Sequence, residues 1–461
     1  MQEYIEVFRR EAKSLLKNFR NNDKNAVARC QAVFGDKADL SLMNMQHVIA
    51  KEYGFNDWNE LQKAESWQQA EALVKSKNRE FVSPFKLWHG GRIVTGYEKG
   101  NYPLHKPEDY RIDMKNFVNV SGFPDLSFEH LDVSEYDLSK LNILNVRYAE
   151  DTKWPEDSAK LPKGFKPKEF LEYRKNPGLG IRQLHKQGID GRGRKVAIID
   201  SFRLFDHLEY HNQLKGYEEI HIDPENYSGG SLGGLVSSLV GKTCGVAPKA
   251  EVYCYAVDNT NRTQVYFAEA IRKVCELHKK LISEGKSGID AILTIKAISS
   301  ELFKEEEGYA EALQAAKEAT KLGIWCRIGP ARFKEHGMWR EERICCKADG
   351  DVDNPDDFIL DEYSVLNRTP LQQEELFRGS LCFPGGGWTI ALDVKMNEYV
   401  FSSKNGPYMA AYAVGLYLLA KSVRLDLELE EYWRLGIETG DFKKGIGTIV
   451  NPQRLINELR K

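Results

Sequence analysis

Lys195-Val-Ala-Ile-Ile-Asp200-Ser201 follows the glycine-punctuated turn Gly188-Ile-Asp-Gly-Arg-Gly193. A half-exposed strand alternates apolar and polar side chains. The unbroken apolar run from Val196 to Ile199 instead predicts a strand covered on both faces. A second such run closes Gly245-Val-Ala-Pro248-Lys-Ala-Glu-Val-Tyr253. Outward from these two, strand patterns at 195–199, 251–257, 291–295 and 324–328 alternate with helical patterns at 263–284, 308–322 and 407–421. Such alternation predicts an α/β fold, because parallel strands need crossover helices and those helices pack on both faces of the sheet.

Taken together, the strand ending in Asp200 and the 245–253 stretch resemble two motifs of the subtilases, the subtilisin-like serine peptidases. The flanking Lys175-Asn-Pro-Gly-Leu-Gly-Ile181 and Leu184-His-Lys-Gln-Gly188 are similar to one bacterial branch of that family, and the resemblance covers roughly residues 150–425. It implies a subtilisin-like parallel sheet. It also implies four catalytic functions: a Ser nucleophile, a His base, an Asp that orients the His, and an oxyanion donor.

Asp200 matches the acid. The family's His opens an H-G-T-H-V-A helix just before G-V-A-P, and the matching string here is Leu232-Gly-Gly-Leu-Val-Ser-Ser-Leu-Val-Gly-Lys242. Leu232, or Ser231 in a register one residue earlier, stands where His belongs, and no His occurs between His221 and His278. The family's nucleophile sits in G-T-S-M-A-x-P, matched by Gly406-Pro-Tyr-Met-Ala-Ala-Tyr412; Tyr408, or Pro407 in the other register, takes the Ser place. Where the family has an oxyanion Asn, Ile324-Trp-Cys-Arg-Ile-Gly-Pro330 ends in Pro330, which has no amide side chain. The resemblance therefore implies a catalytically degenerate member in which Asp200 is a remnant acid and Leu232, Tyr408 and Pro330 are degenerate positions. The edge strand beside the family's specificity pocket is altered too, with Lys296 and no Gly in Ile292-Leu-Thr-Ile-Lys-Ala-Ile-Ser299.

Three regions follow from the pattern: a helical module at 1–77, an irregular β region at 78–150, and the subtilisin-like domain at 151–461. In the first, Tyr4, Phe8, Ala12, Leu15 and Phe19 form one helical stripe, and Leu42, Met45, Val48 and Ile49 form another that Gly54 is placed to end. The string from Met45 to Leu61 resembles a short helical module appended to many bacterial proteins, its aromatics making a small core. In the second region, Leu126, Leu131, Tyr136, Leu141 and Val146 recur every five residues, and Phe128, Val133, Leu138, Ile143 and Tyr148 repeat two places later. This is similar to one coil of a pentapeptide-type stack over 125–149, and a lone coil needs a neighbour to bury it, so it is expected to cap the next domain.

The 461 residues are 42% hydrophobic and 29% charged with net charge −3, a balance that excludes a disordered chain and provides no global positive field for nucleic acid or an anionic membrane. No apolar stretch is long enough to span a bilayer, and the charged start does not read as a secretory signal. Eight cysteines without metal spacing, the adjacent Cys345 and Cys346 included, point to buried free thiols and a cytoplasmic location. Several local signals are set aside. Gly241-Lys242-Thr243 lacks the leading Gly of a phosphate loop, Val236 standing there. Asp206, His207, Glu209 and His211 are suitable metal donors but are expected to be exposed loop residues. Ser402, Ser403 and Cys382 have no placed base. No cofactor and no metal are assigned.

Three functions compete. A binding or regulatory module that keeps a protease groove for a peptide or protein partner leads. An enzyme with relocated residues requires a His, His207 or His211, brought to Asp200. A third possibility puts the function in the amino-terminal helices, where Lys13, Lys17, Arg20 and Lys24 form a basic face. The sequence does not fix the oligomeric state.

Overall fold

The structure is a computed structural model describing residues 3–35, 39–64, 69, 106–107, 112–119, 126–201, 204, 207–222, 232–258, 263–294, 304–328, 340–360, 380–392, 398–402 and 406–461. These divide into two compact units, one within Met1–Ser83 and one within Pro84–Val394 and Glu398–Lys461.

The first unit is helical: α1 (Glu3–Arg20), α2 (Lys24–Phe34), α3 (Leu42–Glu52) and α4 (Trp58–Lys63). Phe8, Ala12 and Leu15 of the expected stripe are buried against Met45, Val48 and Ile49, while Phe19, Phe55 and Trp58 stay half-buried. Helix α2 was not apparent from the sequence because it buries only Ala26 and Cys30, too few positions to make a stripe; Asp23 starts it by accepting the amide of Ala26. Ser41 and Asn44 close a reciprocal capping box on α3, and Gly54 ends that region with φ 83, a conformation that suits glycine.

In the second unit the chain runs β1 (Leu126–Ser127), β2 (Val146–Ala149), α5 (Pro167–Tyr173), α6 (Ile181–Lys186), β3 (Lys195–Asp200), β4 (Leu214–Ile220), α7 (Gly233–Val240), β5 (Glu251–Val257), α8 (Thr263–Ser283), β6 (Ala291–Thr294), α9 (Tyr309–Lys321) and β7 (Trp325–Arg327). It continues through β8 (Arg340–Cys346), β9 (Phe358–Leu360), β10 (Ser380–Gly386), β11 (Trp388–Leu392), β12 (Glu398–Ser402), α10 (Gly406–Val423), α11 (Leu429–Thr439), β13 (Asp441–Lys443), β14 (Gly447–Ile449) and α12 (Pro452–Leu459). Strands β4-β5-β3-β6-β7 form a sheet in which every pairing is parallel. Central β3 is buried at all six positions. Val196 and Ile198 join the apolar cluster containing α7 and α10, whereas Ala197 and Ile199 join the one containing α8 and α9. The fold is thus α/β, with a parallel sheet covered by helices on both faces and preceded by a helical module.

Strand β4 is absent from the sequence reading because Lys215, Glu218 and Glu219 break its apolar run. On a sheet edge such charges discourage further pairing, and the strand is still buried at Leu214 and Tyr217 against one apolar cluster and at Ile220 against the other. Helix α10, expected at 407–421, spans Gly406–Val423 and is buried at each residue from Tyr408 to Ala420, as a helix apolar all round must be. It packs closely because Gly415 carries no side chain: a Cβ there would lie 2.7 Å from Cβ of Val246. Among the described residues no helix is long and apolar enough to cross a membrane.

Of the ten five-residue-period positions, nine are buried and Tyr136 is half-buried. Leu126 pairs with Val146 in parallel register, so the chain completes one coil and returns beside itself. Strand β2 then pairs antiparallel with β12, Val400 opposite Ala149 and Phe401 opposite Tyr148, which gives the coil its neighbour.

Buried Arg174 at the end of α5 donates to the carbonyls of Cys346, Lys347, Ala348 and Gly387, and its own carbonyl accepts from Thr389 at 2.8 Å. One guanidinium thereby ties α5 to the ends of β8 and β11. Arg174→Ala strips donors from several buried carbonyls and should cost about 2–5 kcal/mol. Chemical denaturation tests this; a loss under about 0.5 kcal/mol, the scale of a surface change, would contradict it.

Candidate functional site

Asp200 ends β3 with 6% of its surface exposed. Its hydrogen bonds come from Ser201, from the amide at 2.6 Å and the hydroxyl at 3.5 Å. Burial raises its pKa to about 7, against the lowering effect of those bonds. A carboxyl in this setting keeps its proton up to about neutrality.

His207 was expected on an exposed loop and instead is fully buried. Its Nδ1 accepts the amide of Glu209 at 3.1 Å, which puts the ring proton on Nε2, and Nε2 donates to the carbonyl of Glu398 at 3.0 Å. Both ring nitrogens are thus held by backbone groups away from Asp200. His211 is half-buried, its amide bonded to the carbonyl of His207.

Leu232 is 1% exposed and directly precedes α7; Tyr408 is 5% exposed in the first turn of α10. Both belong to one apolar cluster with Ile390. What lets the phenol in is Gly234, a residue the sequence reading passed over: a Cβ there would stand 2.7 Å from the Tyr408 Oη and 2.7 Å from the Ile390 Cδ1. The ring lies against the first turn of α7, and the Asp200 carboxylate is bonded to Ser201. Pro407 is half-buried. Pro330, Lys296, Ser231, Asp206 and Ser403 lie outside the described residues.

Glu209, also expected to be exposed, is a second correction. It is buried where α7 ends, and its carboxylate accepts the Thr243 hydroxyl at 2.6 Å, the Thr243 amide at 2.8 Å and the Tyr399 hydroxyl at 2.6 Å. Burial pushes its pKa up, but the bonds from Thr243 and Tyr399 outweigh burial and hold it below the ordinary value. The amide of Lys242 donates to the Glu209 carbonyl and that of Thr243 to its carboxylate, while the Gly241 amide donates to the Ser237 carbonyl at the end of α7, so 242–244 form a turn. Nearby Cys244 is fully buried, and burial first, then the Glu209 charge, pushes its thiol well up, which leaves it inert. The partners of Glu209 lie far from it in the chain, so no local spacing announces them.

Ser402 and Cys382 are buried, Cys382 with its thiol on the carbonyl of Ile446. None of the eight cysteines forms a disulfide. Among the described residues it is His130, Asp151 and Glu398 whose ligand atoms lie within 4.8 Å of one another.

No family model matches this chain, and no curated protein matches it in sequence. Among solved structures, the chain is similar to the PatG macrocyclase in complex with peptide at 15% identity and a TM-score of 0.41, covering 61% of this chain and 96% of that one. The prenylagaramide maturation protease PagA gives 13% and 0.37, covering 61% and 98%. MycP1 from the ESX-1 type VII secretion system gives 12% and 0.38, covering 60% and 83%. The fold itself stands on the strand order and two-faced packing described above.

The Asp200 environment has a measurable consequence. An unfolded Asp loses its proton near pH 4, whereas Asp200 in the folded chain keeps it to about pH 7, so between those values the folded state binds more protons. Stability contributed by this group is then present at low pH and falls as pH rises through that window. Asp200→Asn cannot ionise, so its stability relative to the parent should improve from about pH 5 to about pH 8, by an amount on the order of a few kcal/mol. A stability difference that stays constant with pH would refute it.

Proposed function

We propose that this chain is a subtilisin-like pseudoprotease, a module that binds or regulates a peptide or protein partner without cleaving it. The observation that carries this reading is the sealed pair of positions: Leu232 and Tyr408, which take the places of base and nucleophile in the family pattern, are both buried in one apolar cluster. A triad acts as a unit, and loss of either the base or the nucleophile alone removes most of its acceleration. Among the described residues the bonds to the Asp200 carboxylate come from Ser201 and from no imidazole, and Pro330 has no side-chain donor for an oxyanion. A bound peptide would be held mainly by main-chain bonds as an added strand. A reducing compartment such as the cytoplasm suits eight free thiols. The competing reading, a serine endopeptidase with relocated residues, loses its first candidate because His207 is committed to Glu209 and Glu398.

Purified full-length protein should leave unfolded casein intact and take up no fluorophosphonate serine probe. Stoichiometric labelling of one Ser would establish the relocated enzyme instead.

Restoring the family residues should not restore the reaction. Leu232→His with Tyr408→Ser places two polar groups in a dry cluster and removes a ring, so the double variant should lose about 3–5 kcal/mol of stability and still show no peptide hydrolysis. Hydrolysis above the parent's background by the folded double variant would refute the sealed-site reading.

A further inference from the structure

His130 and Asp151 face each other across the return of the coil, Nδ1 to Oδ2 at 2.6 Å, and Glu398 of β12 brings a third donor to the same place, all three ligand atoms within 4.8 Å of one another. We propose that these three residues bind one divalent transition-metal ion of the zinc class and that the ion clasps the coil to the β11–β12 hairpin.

The donor chemistry selects the class. One imidazole nitrogen with two carboxylate oxygens suits zinc and its neighbours; calcium and magnesium favour sites made wholly of oxygen. The spacing fits as well. Zinc bonds to nitrogen and oxygen run about 2.0–2.2 Å, which puts tetrahedral ligand atoms about 3.4 Å apart. Parting Nδ1 and Oδ2 by about 0.8 Å, with an approach of up to about 1.4 Å by Glu398, meets that value.

The backbone beneath each donor is pinned. On either side of His130 the Phe128 carbonyl accepts the Thr152 hydroxyl at 2.7 Å and the Leu131 carbonyl accepts the Lys153 amide at 3.0 Å, while the Val133 amide returns to the Lys153 carbonyl at 2.9 Å. The same bonds fix the turn carrying Asp151. Glu398 is held through its carbonyl by His207, and the next residue, Tyr399, accepts the Glu150 amide. A site needs this kind of support, since loosely held donors bind weakly.

Exposure is arranged for entry from one side. Glu398 is 4% exposed, whereas the side chains of His130 and Asp151 are 28% and 30% exposed, so the ion has a carboxylate behind it and room for a water in front. Lys175, the nearby cation, already has its ammonium on Glu172 at 2.7 Å and over the Tyr399 ring at 3.5 Å. When the metal takes the Nδ1 lone pair, the proton in the Nδ1···Oδ2 bond moves to Nε2 or leaves to buffer, so the charges balance without a further reactant.

The test uses the full chain, stripped with a chelator and titrated with zinc chloride against a chromophoric competitor. One equivalent should bind, and thermal unfolding should move upward with zinc but not with calcium. His130→Ala and Glu398→Gln should each weaken zinc by at least about tenfold, while His221→Ala, which alters an exposed ring paired with Glu269, should leave it unchanged. If Glu398→Gln does not fold, Asp151→Asn takes its place with the same expectation. Zinc affinity equal in the parent and in His130→Ala, or no zinc-dependent rise in the unfolding temperature, would overturn the proposal and leave His130 and Asp151 as an ion pair.

Discussion

A parallel strand that is apolar at every position has to be covered twice. Strand β3 meets that constraint with β5 and β6 at its sides and helices above and below, and its six residues leave no face for water. Alternate side chains go to opposite layers, so one short run links the cluster containing α7 and α10 to the one containing α8 and α9. Buried apolar area contributes about 25 cal/mol per Å², and in a strand closed on both faces nearly all of it is realised.

The same closure decides the chemistry available at the end of the strand. Asp200 sits where the two layers converge, and water is scarce enough there that the carboxyl keeps its proton to about pH 7. Leu232 and Tyr408 add apolar bulk in the neighbouring layer, where Gly234 leaves room for the Tyr408 ring and Gly415 for Val246. The packing here is that of a core.

Polar groups remain where they fasten segments together. Glu209 closes the turn after α7 and receives Tyr399 from β12; His207, two residues earlier, receives the amide of Glu209 and donates to Glu398. Arg174 gathers carbonyls from two strands. Each of these ionisable groups joins segments far apart in sequence through hydrogen bonds that offset part of the cost of its burial. The coil built on Leu126 and Val146 is attached by strand pairing to β12, next to this network.

By itself the sequence determined the periodicities. The unbroken run at 196–199 meant a doubly covered strand, the five-residue repeat placed the inward positions of the coil, and the apolar stretch after Gly406 meant a helix buried on all sides. Those signals are local, because strand and helix geometry repeat along the chain. It did not show α2 or β4, whose apolar positions are too few or too interrupted by charge to make a pattern. Only the tertiary structure decided that His207 and Glu209 are buried, that Tyr408 lies on Gly234 and Asp200 is bonded to Ser201, and that His130, Asp151 and Glu398 meet. A charged residue in a loop looks exposed until the groups that compensate its burial are known, and here those groups come from other segments of the chain, brought within hydrogen-bonding distance by the packing of the sheet and its helices.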